Sequence, residues 1–377
     1  MGTLETIYGI ETIVIIGSFL FGLAYLALFR LLMKGWYLLK HPQHQPINHR
    51  QSDSPSFCIL VVCHNEAEHL PALLHDFQNQ EVQPQTFILV DDHSNDGTLE
   101  IMTQWQKEMS TPVEVICSKG RGKKQAIEEG LANAKVEWVL TTDADCRVPA
   151  TWSRKVCDIY ERTPFDLLIM PVEMDSGKGV LNSIIRMEFI TLVGAGMSLA
   201  ACGHPIMCNG ANMAFSLQGR KAHAHQMHKE LLSGDDVFLL HALKKGKGKI
   251  YVTAHKDCMV KTAGNATFHD FLHQRARWAS KAVYYTDKES IAVACCILGI
   301  SIWQIILYAI SLFHLSAWIW ALGLFWGKWI CDVLYLHSMR KTFPMPHLIG
   351  HSLILSFFYP FYITYSAMAG VMRKKIW

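Results

Sequence analysis

The sequence predicts an α/β domain with a mostly parallel sheet, held between membrane-spanning helices. Three observations predict it. Charge is scarce at both ends of the chain and ordinary in the middle. Between residues 57 and 142, short apolar runs of strand length alternate with helical patterns. Acidic residues recur where those runs end, as Asp91-Asp92 and Asp143-Ala144-Asp145.

The 377 residues hold 35 Lys and Arg against 32 Asp and Glu, a formal charge of +3. Residues 1–33 carry three charges, Glu5, Glu11 and Arg30, and residues 290–377 carry seven. Most of the charge therefore falls in residues 34–289, at close to the ~25% usual for soluble domains. High apolar content excludes a disordered chain. The mild charge and the lack of long basic blocks argue against a nucleic-acid partner.

Residues 12–29 are uncharged, and apolar length extends from Ile7 to Met33. That suffices to cross a hydrocarbon core of about 30 Å. No cation precedes this run, which argues against a cleaved signal peptide. Lys34, Lys40 and Arg50 follow it, so the positive-inside rule puts the N-terminus outside and the central domain in the cytoplasm. Ser290–Gly327 is uncharged and too long for one span. Two spans are expected, near 291–313 and 315–337, turning near His314, with Lys328 and Asp332 toward a cytoplasmic end. His347–Val371 is a further apolar run interrupted by Pro360. It reads as a span, although a bent re-entrant pair would keep Arg373, Lys374 and Lys375 inside. The eleven cysteines show no zinc spacing and read as reduced thiols.

In the central part, Phe57–Cys63, Phe87–Val90, Val113–Cys117 and Val136–Thr142 read as strands. Leu70, Leu73, Leu74 and Phe77 have the i, i+3, i+4, i+7 spacing of a helix face. Asp96-Gly97-Thr98 offers a turn and cap for the next helix, and Gln125–Ala134 reads as a third. This alternation implies βαβ units, whose ligands sit beyond the carboxyl ends of the strands.

The candidate site residues lie at those ends. Carboxylates at i and i+2 in an extended segment point to one side. Asp143 and Asp145 would then repel each other unless a cation or proton intervenes, and a hard divalent ion bridging to phosphates meets that need. A solvated turn, or Asp143 as the nucleophile of a membrane phosphotransferase, fits the same two residues. Ser118–Lys124 precedes a helix, and its cations suit a diphosphate, but it lacks Walker spacing. Gly234-Asp235-Asp236 precedes the helical run Val237–Leu243. Gln274, Arg277, Trp278 and Lys281 share one helical face; Phe268, Phe271, Leu272 and Ala276 line another. Such a helix can lie on a membrane surface.

Taken in order, CHNEAEHL, LVDDHSNDGT, GRGKKQAI, TTDADC, CNGANMAF, SGDDVFLL and QRARW resemble the membrane-bound family-2 glycosyltransferases of GT-A fold. The matching pieces cover roughly residues 55–285. The resemblance implies a transmembrane helix in 1–36, a GT-A catalytic domain in 50–265, an interfacial helix in 266–288 and two or three membrane helices in 290–377. It implies that Asp91 or Asp92 reads the uracil of a UDP-sugar and that His64, Asn65 and Glu66 touch the nucleoside. Lys124 would approach the base or diphosphate. Asp143 and Asp145 would bind nucleotide and Mg²⁺ or Mn²⁺. Asp236 would be the general base, preceded by Asp235. Gln274 and Arg277 would hold the diphosphate, and Trp278 would stack on the acceptor. The activity so implied is an inverting transfer from a UDP-sugar to a lipid or short glycan, with processive polysaccharide synthesis as the alternative. The sequence points to no protein partner.

Overall fold

The computed structural model describes residues 2–41, 56–132, 134–175, 177–227, 234–264 and 267–372. Arg50, Ser233, Arg373, Lys374 and Lys375 lie outside the described residues. The chain divides into two compact units. One comprises Met1–Trp36, Ser176–Thr191 and Asn265–Trp377; the other comprises Tyr37–Asp175 and Leu192–Gly264.

In chain order the elements are α1 (Gly2–Lys40), β1 (Phe57–Cys63), α2 (Leu70–Gln78), β2 (Thr86–Asp91), α3 (Thr98–Glu108), β3 (Val113–Cys117), α4 (Lys123–Ala132), β4 (Trp138–Thr141), β5 (Cys146–Arg147) and α5 (Trp152–Arg162). There follow β6 (Leu167–Ile169), β7 (Val172–Asp175), α6 (Val180–Ala201), β8 (Met213–Ser216), α7 (Leu217–Ala222), α8 (Asp235–Lys245), β9 (Ile250–Val252), β10 (Val260–Ala263), α9 (Phe268–Ala282), α10 (Lys288–Ser311), α11 (Ala317–Met339) and α12 (Leu348–Met372).

In the α/β unit, seven strands form one sheet in the order β3-β2-β1-β4-β8-β6-β9. The β1, β2, β3 and β4 neighbours pair in parallel, while β8 is antiparallel to both β4 and β6. Strands covered on both faces read as unbroken apolar runs, which is why FCILVVC and TFILVD carry no alternation. Phe57 and Trp138, on paired positions of β1 and β4, stack with ring centres 4.4 Å apart. α4 packs closely on the sheet at Gly130, where an added Cβ would lie 2.8 Å from Leu60 and Val90 methyls. A second sheet, β5-β10-β7, was not read from the sequence because its strands are two to four residues long.

The four strands and three helices expected between residues 57 and 142 are all present, with shifted ends. β4 begins at Trp138 rather than Val136, and α4 begins at Lys123 rather than Gln125. The second shift matters, because it places both lysines of GRGKK in a first helical turn.

Among the described residues, five helices are long and apolar enough to cross a membrane: α6, α10, α11, α12 and residues Gly9–Lys40 of α1. α12 is a single helix through Pro360, not a bent pair. The turn between α10 and α11 falls at residues 312–316, around the expected His314. α6 went unnoticed in the sequence because Arg186 and Glu188 interrupt its apolar run. One expectation is corrected: Lys328 and Asp332 sit in the middle of α11, not toward an end. They form an ion pair with each other, the Tyr25 hydroxyl donates to Asp332, and the Lys328 ammonium lies 5.0 Å from the centre of the Tyr359 ring. Pairing of this kind relieves the cost of placing charge within an apolar, membrane-length helix.

Candidate active site

The parallel strands β1, β2 and β4 carry their loops on one edge of the sheet, and the acidic motifs lie there. At the end of β2 the two neighbouring aspartates differ in use. The Asp92 carboxylate accepts the Gly122 N–H at 2.9 and 3.1 Å, so it fastens the GRGKK loop to the sheet. Gly122 has φ of 97°, a left-handed conformation that favours glycine. Asp91 accepts the Ser94 N–H at 3.3 Å through Oδ2, while its buried Oδ1 has no hydrogen-bond partner among the described residues. A buried acceptor left unmade costs about 1–3 kcal/mol, and a ligand N–H would repay that.

The β1 loop is tied to the same place. His64 Nδ1 lies 2.6 Å from the Asp92 carbonyl oxygen. Asn65, at φ 56°, accepts the Asn95 N–H at 2.9 Å through its side chain. Glu66 donates its N–H to the Thr98 hydroxyl at 2.8 Å. Burial, then the nearby Asp145 charge, raise the Glu66 pKa above the usual carboxylate value.

Asp145 accepts from the Thr262 hydroxyl at 3.2 Å. Burial and then Asp143 raise its pKa. Asp143 and Asp145 lie in a turn closed by the Cys146 N–H donating to the Asp143 carbonyl at 3.2 Å, not in the extended segment expected from the i, i+2 spacing, yet their charges still oppose each other. Among the described residues, no group of three or more His, Cys, Asp or Glu is arranged to hold a metal. Asp143 and Asp145 nevertheless fit a hard cation that takes one or two protein carboxylates and completes its shell from phosphate and water, as Mg²⁺ does.

Lys123 connects the two acidic motifs. Its ammonium donates to Asp143. The Lys123 side chain is 43% exposed, so the desolvation that would lower its pKa is partial, and Asp143, Asp235 and Asp236 outweigh it and raise the pKa above the ordinary value. Lys124 is placed differently. Its side chain is buried and its ammonium lies 5.1 Å from the centre of the Phe238 ring. Adjacent lysines in a helix point about 100° apart, and it is the Lys123 ammonium that meets Asp143.

α8 starts after Gly234, at φ 94°, and carries Asp235 and Asp236 in its first turn. Asp235 is buried. Asp236 accepts the Gly210 N–H at 3.1 Å and its own neighbour's N–H, that of Val237, at 2.8 Å. Thr141 in turn donates to the Gly210 carbonyl at 3.1 Å, so the CNGAN loop links β4 to α8. A cavity of about 20 Å³ is lined by Lys123, Thr142, Asp143, Gly210, Arg220 and Asp235, among others. That is room for about one water. Two buried groups here, Arg220 Nη1 and the Thr142 hydroxyl, have no hydrogen-bond partner among the described residues; the hydroxyl lies near the Cys146 thiol, a weak partner. The sequence offers Lys123 only as one of the cations of the loop before α4, and it does not point to Arg220.

Gln274, Arg277 and Trp278 lie on α9, in the other compact unit, which opens with a Thr267–Asp270 capping box. The intervening Arg275 is buried against Glu188 of α6 and donates to the Gln274 side-chain oxygen at 2.7 Å. Its guanidinium carbon lies 4.3 Å from the centre of the Trp278 ring. The structure therefore brings Asp143, Asp145, Asp235 and Asp236 together in one unit, and Gln274 and Trp278 together in the other.

Residues 58–214 match glycosyl transferase family 2, and residues 138–370, more than half of the chain, match glycosyl transferase family group 2. The cholesterol galactosyltransferase of Borreliella burgdorferi is 32% identical over 93 residues, 25% of this chain and 26% of that protein. The poly-beta-1,6-N-acetyl-D-glucosamine synthase of Staphylococcus epidermidis is 25% identical over 147 residues, 39% of this chain and 35% of that protein. The chain thus spans about a quarter to a third of the length of these relatives. Mannosyltransferase PcManGT from Pyrobaculum calidifontis, solved with GDP-Man and Mn²⁺, aligns over 94% of this chain and 98% of its own, with a TM-score of 0.55 and 16% identity. That likeness shows a common fold. The ordered motifs, the sheet and the family match together establish that this chain belongs to the family-2 glycosyltransferases and has their GT-A fold.

Proposed function

We propose that the chain transfers a hexose or N-acetylhexosamine from a UDP-sugar, with inversion, to a hydroxyl of a membrane-associated acceptor. The observation that carries this reading is the convergence of Asp143, Asp235 and Asp236 on the Lys123 ammonium. It supports a site where a nucleotide diphosphate and a proton-accepting carboxylate are neighbours.

In this reading Asp91, whose buried Oδ1 has no partner among the described residues, takes the uracil N–H, and Asp92 holds the loop. Asn65 and Glu66 border the nucleoside. Lys123 takes the diphosphate role that the motif alone suggested for Lys124. Asp143 and Asp145 hold Mg²⁺ or Mn²⁺, which when bound offsets the charge of the departing diphosphate. Asp236 accepts the proton of the acceptor hydroxyl as the new bond forms; that hydroxyl is too weak an acid to ionise unaided. Asp235 fixes the charge balance beside it. A single displacement inverts the anomeric carbon and needs no carboxylate nucleophile. Gln274 and Arg277 are assigned to the diphosphate and Trp278 to the acceptor. The N-terminus lies outside and the catalytic domain in the cytoplasm, from the cations that follow the first apolar run.

A lipid acceptor is favoured by the relative named as a cholesterol galactosyltransferase, 32% identical over 93 residues. The relative named as a polysaccharide synthase favours the processive alternative. The test incubates membranes with labelled UDP-sugars and Mg²⁺ or Mn²⁺. Label in an organic-soluble product supports a glycolipid. Label confined to a high-mass product supports a polymer, and no transfer from any UDP-sugar overturns the donor assignment.

A further inference from the structure

Arg275 is 5% exposed and Glu188 6%. The guanidinium grips the carboxylate through Nε, at 3.1 and 3.2 Å, and through Nη2. The Tyr362 hydroxyl of α12 donates to the same carboxylate at 2.7 Å. The remaining guanidinium nitrogen, Nη1, donates to Gln274 Oε1 at 2.7 Å. Phe271 and Trp278 flank the guanidinium, with ring centres 4.8 and 4.3 Å from its central carbon, and Phe189 lies 6.4 Å from the Trp278 ring.

Two consequences follow from the chemistry of arginine. A guanidinium only donates hydrogen bonds, so the neighbouring amide must turn its oxygen toward it. Gln274 then directs its NH₂ away from Arg275, as a donor suited to an anionic oxygen. A planar cation seated on one face of an indole also fixes the ring plane and leaves the opposite face for other contacts. Neither effect is encoded by Gln274 or Trp278 themselves.

We infer that Arg275, anchored by Glu188 and Tyr362, is a positioning residue that sets the donor end of Gln274 and the plane of Trp278. This rests on the assignment of Gln274 to the donor diphosphate. It ties the QRARW face to helices α6 and α12.

The test is a double-mutant cycle on the full chain in detergent, read as UDP affinity in the presence of Mn²⁺. Arg275→Lys keeps the charge but loses the fork, and is expected to weaken UDP binding about tenfold. Gln274→Ala is expected to do the same. If Arg275 acts through Gln274, the double variant binds UDP no worse than Gln274→Ala. Losses that multiply toward a hundredfold overturn the positioning role. Gln274→Glu adds a second readout: it still accepts from Arg275 and keeps the thermal midpoint, yet lacks the NH₂, so UDP binding should fall at least tenfold. Wild-type UDP binding by Gln274→Glu, with Gln274→Ala impaired, overturns the orientation argument. Wild-type binding by Gln274→Ala overturns the diphosphate assignment itself. Should Arg275→Lys not fold, Tyr362→Phe, which removes one hydrogen bond to Glu188, takes its place in the cycle with a smaller expected loss.

Discussion

The Lys123 ammonium donates to the Asp143 carboxylate, while its sequence neighbour Lys124 is buried beside Phe238. Two adjacent lysines thus stand in different surroundings. Lys123→Met should lower turnover by about 10²-fold, the scale of losing one charged group at a developing anion, with little change in thermal midpoint. Lys124→Met should act the other way, altering the midpoint more than turnover. Steady-state rates and thermal melts of the two variants check this; equal rate losses would merge the two roles.

Asp236→Asn tests the base. An amide oxygen can still accept the Gly210 N–H, so the loop should hold. Turnover should drop by about 10²–10⁴-fold, while UDP affinity stays within about twofold. Wild-type turnover would exclude Asp236 as proton acceptor.

The raised pKa of Asp145 carries a sign. A carboxylate whose folded pKa lies above its unfolded value binds its proton more tightly in the native state. In the metal-free protein its contribution to stability therefore falls as pH rises from the ordinary carboxylate range through the raised value. Asp145→Asn should remove that component, raising the metal-free midpoint at pH 7 by a few degrees, the size of about 1 kcal/mol. It should also abolish the thermal shift on adding Mn²⁺ and UDP. Melts at pH 5 and 7, with and without these ligands, measure both effects.

Gly370 of α12 sits where an added Cβ would lie 2.8 Å from the Ser280 backbone nitrogen and 2.9 Å from Ala279 atoms of α9. Because backbone cannot give way as a side-chain tip can, Gly370→Leu should separate α9 from α12 at a cost of about 1–3 kcal/mol. A lowered melting midpoint in detergent is expected, whereas Gly323→Leu, with open space at its Cβ, should be tolerated.

Much of the fold was legible because burial writes itself into strand sequences. FCILVVC and TFILVD are covered on both faces and cannot be confused with amphipathic edges. The short strands β5, β7 and β10 carry no such pattern, since two to four residues define no period. α6 escaped notice for a related reason: Glu188 is satisfied by Arg275, a partner 87 positions away that no local reading can supply.

By itself, the sequence determined the layout: apolar segments around an α/β domain, acidic motifs at strand ends, and a helix bearing Gln274, Arg277 and Trp278. These depend on local composition and on periods of two and 3.6 residues. Tertiary structure alone decided how the charges are used. It set Lys123 on Asp143, bound Asp92 to Gly122, left an oxygen of Asp91 without a partner among the described residues, and paired Lys328 with Asp332 in mid-helix. The reason is physical. A charge or polar atom removed from water needs a partner at hydrogen-bond distance, and which residue arrives there is a property of packing, not of neighbours along the chain.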